Sequence, residues 1–223
     1  MSFYTLRNWI LQNIPIKKRL RNICVAYLLF LMVEVRKHSL EEAGRFERLN
    51  KSQFSKFLKN HSKSAVYSLN DLSKRQVKKL SKAIKHLNEI SFWKIVLIVD
   101  STIQKRSSKY TENAQKFNHG QGFVIGHQWT NIVLIINDMI IPLPPIPYHT
   151  KKYCRENNLE YKTEHELVIE YINDLNLNDY IGFHDPNEIV LIADSGYDDN
   201  NIQKAVDNKK WKFIIALKKT RSV

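Results

Sequence analysis

The chain has 223 residues, 43% apolar and 26% charged, the make-up of an ordinary globular protein with length for one good core or for a small domain beside a medium one. Its two cysteines, Cys24 and Cys154, are too few and too far apart for a disulfide framework or a metal-ligand spacing, so a reducing, cytoplasmic setting is expected. The net charge of +13 sits in one region: residues 1–90 hold 19 Lys and Arg against 6 Asp and Glu, whereas residues 91–223 hold 16 of each, which marks a basic part facing a polyanion unless it is only a Lys-rich solvated surface.

Residues 1–90 read as a basic, all-α region. Leu20, Ile23, Cys24, Tyr27, Leu28 and Leu31 recur at three- and four-residue steps. The apolar run at 23–33 is shorter than the ~20 residues of a membrane span. It is followed by Glu34, Val35 and Arg36 rather than by a small-residue cleavage site, so a buried helix and no membrane partner are expected. A second helix is expected from Asn50 and Ser52, both good caps, with Phe54, Phe57 and Leu58 inside. A third is expected over about 70–90, with Ser73 as a cap and Val77, Leu80, Ile84 and Leu87 as its apolar stripe. Lys74, Arg75, Lys78, Lys79, Lys82 and Lys85 lie between these positions. That helix has one apolar and one cationic face, and the six cations are candidates for DNA phosphates, where affinity comes from counterion release.

From residue 92 the pattern changes. Residues 94–100 form a continuous β-branched run ending at Asp100, the mark of a strand buried on both faces. A polar stretch at 101–118 precedes Gly120 and Gly122 and has no apolar face for a helix. Residues 130–136 and 139–143 flank Asn137 and Asp138 and read as a hairpin, with prolines at 142, 144, 145 and 147 placing its second strand toward an edge. Tyr148, His149, Lys151 and Lys152 then read as a basic aromatic loop, solvated or in contact with phosphate. Thr163 and Glu166 have the capping-box spacing and open a helix to about Leu175, with Leu167, Val168, Tyr171 and Ile172 as its apolar face. Residues 188–194 form a second buried strand ending at Asp194. Asp198, Asp199 and Asn200 cap a further helix to about Asp207, and residues 211–217 form the last strand. The predicted order is β, β, β, α, β, α, β, a mixed-sheet α/β fold of the ribonuclease-H-like kind rather than a doubly wound one.

Asp100 and Asp194 share a context, Val-Asp-Ser-Thr and Ala-Asp-Ser-Gly, each after an apolar strand. Neighbouring strands would bring both carboxylates to one sheet edge, where they can share a divalent ion; otherwise each merely caps the next turn. Mg²⁺ or Mn²⁺ is the expected ion, because Mg²⁺ accepts carboxylate oxygens and keeps several waters. His119 and His127, near the glycines, are weaker candidates for DNA or metal contact.

Residues 92–217 resemble the catalytic core of insertion-sequence DDE transposases. The segments that carry the resemblance are Val99-Asp-Ser-Thr102, Gly126-His-Gln-Trp-Thr-Asn131, Ala193-Asp-Ser-Gly-Tyr-Asp-Asp199 and Phe213-Ile-Ile-Ala-Leu-Lys218. The resemblance implies metal ligation by Asp100 and Asp194, and hydrolysis of a DNA 3′ end followed by transfer of the 3′-hydroxyl to a target strand. It also implies a third acid, a glutamate on a later helix, but no glutamate follows Glu188. The expectation is therefore an incomplete catalytic domain at 91–223 behind a DNA-binding region at 1–90. Such a chain would be inactive alone, nucleoid-associated, and paired with itself or with a full-length transposase. A non-catalytic DNA-binding protein remains an alternative. A haloacid-dehalogenase-like phosphatase is another, since Asp194 and Asp198 mimic part of its Mg²⁺ motif, but Thr102 stands where its general acid belongs.

Overall fold

Apolar spacing changes from helical to strand period along the chain, and the computed structural model follows it. The structure describes residues 3–13, 17–33, 39–86, 94–106, 111–119, 122–137, 139–181 and 185–218. The chain divides into two units, residues 1–79 and 80–223. This division falls inside a helix, 11 residues before the expected change at residue 90, because the last helix of the basic region runs on unbroken.

The first unit is built from α1 (Phe3–Asn13), α2 (Lys18–Val33), α3 (Leu40–Glu47) and α4 (Lys51–His86). The central part of α2 is buried on two sides. Cys24, Val25 and Leu29 pack with Ile10, Phe57 and Leu72, while Ala26 and Phe30 pack with Ala43 and Phe54. That accounts for its apolar run, and no described helix is long and apolar enough to cross a membrane. Leu31, expected on the buried stripe, is instead exposed, since burial ends with Phe30. Burial pushes the Cys24 thiol up to about 11, so it is an inert packing group; Cys154 is also buried and free.

The helices expected from Asn50 and over 70–90 are one 36-residue helix. Asn50 caps it by accepting from the Ser52 amide at 2.9 Å, and Gln53 reaches back to the Asn50 amide at 3.1 Å. Ser73 caps nothing, because no Gly or Pro interrupts residues 51–86 and the ladder passes through it. Leu72 and Val77 are buried, but Leu80 is 45% exposed, so the apolar stripe ends earlier than its spacing predicts. The Ile84 side chain and Leu87 lie outside the described residues.

The second unit contains β1 (Ile95–Lys105), β2 (Gln115–His119), β3 (Gly122–Ile136), β4 (Met139–Pro142), β5 (Ile146–Pro147), α5 (Lys151–Glu156), α6 (Glu164–Asp174), β6 (Ile189–Ala193), α7 (Asn200–Asn208) and β7 (Lys212–Ile215). The sheet order is β2-β3-β1-β6-β7, with β4 and β5 paired to the outer side of β3. β1 is antiparallel to β3 and parallel to β6, and β6 is parallel to β7. Three antiparallel strands followed by two parallel ones reached through helices make a ribonuclease-H-like mixed α/β sheet. An antiparallel β3 beside β1 also excludes the doubly wound arrangement of the phosphatase alternative.

One face of this sheet is a continuous core. Leu97 lies between Leu134 and Leu191, and Val99 between Ile132 and Ala193, all buried. Val168 and Ile172 of α6 and Ile202, Ala205 and Val206 of α7 are buried as well. Asn137 takes the left-handed turn conformation, φ 53°, and its side chain accepts from the Lys94 amide, pinning the start of β1 to the β3–β4 turn. Asp138 lies outside the described residues.

Three expectations change here. The polar stretch at 101–118 contains β2, and β3 begins at Gly122 rather than at Thr130. β2 and the first part of β3 form a partly exposed ribbon whose longest apolar run is the three residues 123–125, too short for the usual strand signal. Lys151 and Lys152 open a short helix rather than lie in a loop, because Thr150 caps it by accepting from the Tyr153 amide.

Candidate metal centre

The parallel pairing of β1 with β6 runs from Ile95 with Ile189 to Val99 with Ala193. Asp100 is the next residue of β1, and Asp194 is the first residue after β6. Both residues therefore lie where the parallel pairing of the two central strands ends.

Their environments differ from the expected one. Asp100 does not end its strand: β1 continues to Lys105 against β3, and Asp100 lies opposite Asn131 within that ladder. What ends at Val99 is the pairing with β6, whose chain passes into the 3₁₀ turn Ser195–Tyr197. Both aspartates are exposed, so no burial penalty demands that either be paired; their case rests on position instead. Asp194 also caps the 3₁₀ turn Ser195–Tyr197, its Oδ1 accepting from the Gly196 amide at 2.9 Å. Among the described residues only Oδ1 of this carboxylate is engaged. The Asn131 amide nitrogen donates to Thr102 Oγ1 at 2.8 Å, ordering the row of side chains beside Asp100. No group of three His, Cys, Asp or Glu side chains able to hold a metal occurs among the described residues, so the pair stands alone.

A polar network that the sequence did not reveal fixes the Asp194 turn from behind. Glu164, the first residue of α6, accepts from the Tyr197 hydroxyl at 2.6 Å, from Thr130 Oγ1 at 3.1 Å and from Gln128 Nε2. Thr130 is buried and lies on the same sheet face as Ile132, so this network sits beneath the sheet. Burial first, and then the neighbouring Glu164, push the Tyr197 phenol far up, which keeps it a hydrogen-bond donor. His165 bonds the Gly196 carbonyl through Nε2 at 2.9 Å and Asp199 through Nδ1 at 3.2 Å. The first turn of α6 therefore grips the segment from Gly196 to Asp199, just after Asp194. The only sequence signal for this is that Glu164 and His165 stand inside the Thr163–Glu166 capping box, which the structure contains in full.

The other candidates separate cleanly. Asp199 is the cap of α7, accepting from the Asn201 amide at 2.7 Å, and Asn200 is the first helical residue. Asp198 is no cap: it is buried and accepts from the Lys218 amide at 3.1 Å, which ties the chain leaving β7. The Arg106 Nε donates to His127 Nδ1 at 3.1 Å, and His127 Nε2 then donates to the Glu112 carbonyl at 2.7 Å, so this ring has no nitrogen left for a metal. The His119 and Lys85 side chains lie outside those described. Lys74 is half-buried on α4, and Arg75, Lys78, Lys79 and Lys82 are exposed.

A family model described as a transposase DDE domain matches residues 92–223. Among curated proteins none matches. Among solved structures the chain is similar to a piggyBac transposase synaptic complex with hairpin DNA, at 12% identity and a TM-score of 0.40, covering 97% of this chain and 41% of that one. It is also similar to the Mos1 strand transfer complex, at 9% identity and a TM-score of 0.29, covering 84% and 56% of the two chains. A third is the Mos1 mariner paired-end complex with Mn, at 10% identity and a TM-score of 0.27, covering 83% and 56%. The chain thus spans about half the length of these structures. The family match covers more than half of the chain, from the start of the sheet onward, and the chain belongs to the transposase DDE domain family.

Proposed function

We propose that this chain works in DNA transposition, with Asp100 and Asp194 as two carboxylate ligands of a divalent-metal site that acts on DNA phosphodiesters. The observation that carries the reading is the register: the two aspartates follow the last parallel pair, Val99 with Ala193, on adjacent central strands. Oxygen donors suit Mg²⁺ or Mn²⁺, and the metal, when bound, would activate the attacking oxygen and stabilise the leaving one. Asp100 supplies an exposed carboxylate where the pairing with β6 ends. Asp194 supplies one whose Oδ1 is oriented by the Gly196 amide, while Glu164 and His165 hold the turn that carries it. The substrate is DNA, and the cations of α4 are its electrostatic footing. The place of action is the nucleoid-bearing cytoplasm.

Non-catalytic DNA binding is the second reading, favoured by the lack of a third metal-ligating side chain beside the pair among the described residues. Metal binding separates the two. Titration of the full chain with Mn²⁺ should show saturable binding that is lost in Asp100→Asn and in Asp194→Asn, with circular dichroism unchanged. Full Mn²⁺ affinity in both variants would sink the metal-site reading and leave the binding one.

A further inference from the structure

Beside the outer edge of β3 lies a cavity of about 500 Å³, lined by Gln115, Tyr148, Thr150, Lys151, Lys152 and Tyr161 among others. That is the size of an ordinary ligand pocket. It is held in shape by local contacts. Asn113 adopts the left-handed conformation, φ 57°, donates to the Tyr148 carbonyl at 2.9 Å and accepts from the Thr150 amide at 2.9 Å. The Tyr148 amide donates to the Gln128 carbonyl of β3 at 3.2 Å. The Tyr148 and Tyr161 rings meet edge to face at 6.3 Å, with their hydroxyls 2.9 Å apart. Lys151 Nζ stands 5.1 Å from the centre of the Tyr161 ring. Among the described residues Lys152 faces only Glu156, at 3.8 Å and in solvent, a pairing too weak to hold it against a phosphate.

Aromatic walls with two lysines make a poor seat for duplex DNA, whose bases are stacked inward and which offers only phosphates and groove edges. They suit a base that has left the stack, with its phosphate on the ammonium groups. The location fits as well. Gln128, which anchors Tyr148, lies three residues along β3 from Asn131, the partner of Asp100. That is about 10 Å of strand, and the odd offset turns the Gln128 side chain to the sheet face opposite Asn131 and Asp100, so a DNA chain joining the two places would pass round the sheet edge.

We propose that this cavity is a second DNA subsite that takes an unpaired nucleotide, its base against Tyr148 and Tyr161 and its phosphate on Lys151 and Lys152. The inference rests on the reading of DNA as substrate. It adds a requirement for single-stranded or extruded DNA that neither the aspartate pair nor the cations of α4 carry.

The test uses the full chain, a fluorescent oligothymidylate, a mixed-sequence duplex of similar length and thymidine monophosphate. The Lys151→Ala/Lys152→Ala variant alters exposed residues and should fold normally. It is expected to bind the oligothymidylate about tenfold more weakly and the duplex within about twofold of wild type. Tyr161→Phe keeps the ring and should retain single-strand binding, whereas Tyr161→Ala should lose it. Unchanged oligothymidylate affinity in the double lysine variant, with duplex binding intact, overturns the subsite and leaves the DNA reading standing. Thymidine monophosphate binding as tightly as the oligothymidylate also overturns it, in favour of a free-nucleotide site. Wild-type protein that binds neither DNA form overturns the DNA reading itself, and the subsite with it.

Discussion

Gly196 stands two residues after Asp194, and its amide is the donor that orients the aspartate. A Cβ built at this glycine would lie 2.9 Å from Asp194 Oδ1, a contact that the flexible carboxylate rather than the backbone would relieve. Gly196→Ala should therefore leave the melting temperature nearly unchanged but displace the ligand oxygen, lowering Mn²⁺ affinity by about tenfold, as loss of a group orienting a metal ligand does. Unaltered Mn²⁺ affinity in a folded Gly196→Ala protein would break the link between the glycine and the site. Nearby, Asp199 is partly buried, which opposes its ionisation. The Asn201 amide and His165 outweigh that burial and lower its pKa below the ordinary 3.8. A lowered folded-state value means that charged Asp199 stabilises the fold above pH ~4, and that this contribution is lost as pH falls toward the lowered value. The difference in melting temperature between wild type and Asp199→Asn should shrink on acidification below pH ~4. A difference that stays constant down to strong acid would contradict the assignment. Both aspartates of the candidate site were legible as residues, since each closes an apolar run before a serine. Glu164 was not, because its partners Gln128, Thr130 and Tyr197 lie more than 30 residues away and leave no local pattern.

At the scale of elements, β1 and β3 decide the site's shape by outlasting their neighbour β6. Both strands pass Asp100, with β5 joining the outer side of β3 at Trp129 and Thr130, and stay paired to Lys105 with Gly126. There a Cβ on Gly126 would meet the Gln104 carbonyl oxygen at 2.3 Å, and here the obstacle is backbone. Gly126→Ala should force the two strands apart and cost about 1–3 kcal/mol, in the range of overpacking. Urea denaturation measures this, and a cost below about 0.5 kcal/mol would show that they are not closely paired in solution. The β2–β3 ribbon was hidden in the sequence for a physical reason. The two central strands, buried on one face and half-buried on the other, announce themselves by the unbroken apolar runs at 95–99 and 189–193, whereas the strands beyond them are fixed by pairing across the gap. α4 failed in the opposite sense. Ser73 has the chemistry of a cap, but caps are realised only where the chain leaves the helix, and nothing between 51 and 86 makes it leave.

For the whole molecule, charge is the dominant statement. The excess of +13 lies in residues 1–90, and Arg75, Lys78, Lys79 and Lys82 are exposed on α4. Duplex binding through such a face is driven by counterion release, so its affinity should fall steeply as salt rises. Replacing Lys78, Lys79 and Lys82 together by Gln should reduce the slope of log affinity against log salt by about 2–3 units. An unchanged slope would move the DNA contact away from α4.

Sequence alone determined the change from helical to strand periodicity, the mixed α/β class, the apolar runs of the two central strands and the two aspartates that close those runs. Those features are written in local periodicity and composition, which survive without knowledge of neighbours. Tertiary structure alone decided that β1 runs past Asp100, that both carboxylates are exposed, that Glu164 and His165 grip the turn after Asp194, and that Tyr148, Tyr161 and two lysines share a cavity. Each depends on residues far apart in sequence meeting through hydrogen bonds and strand register, and no window of the chain carries that information.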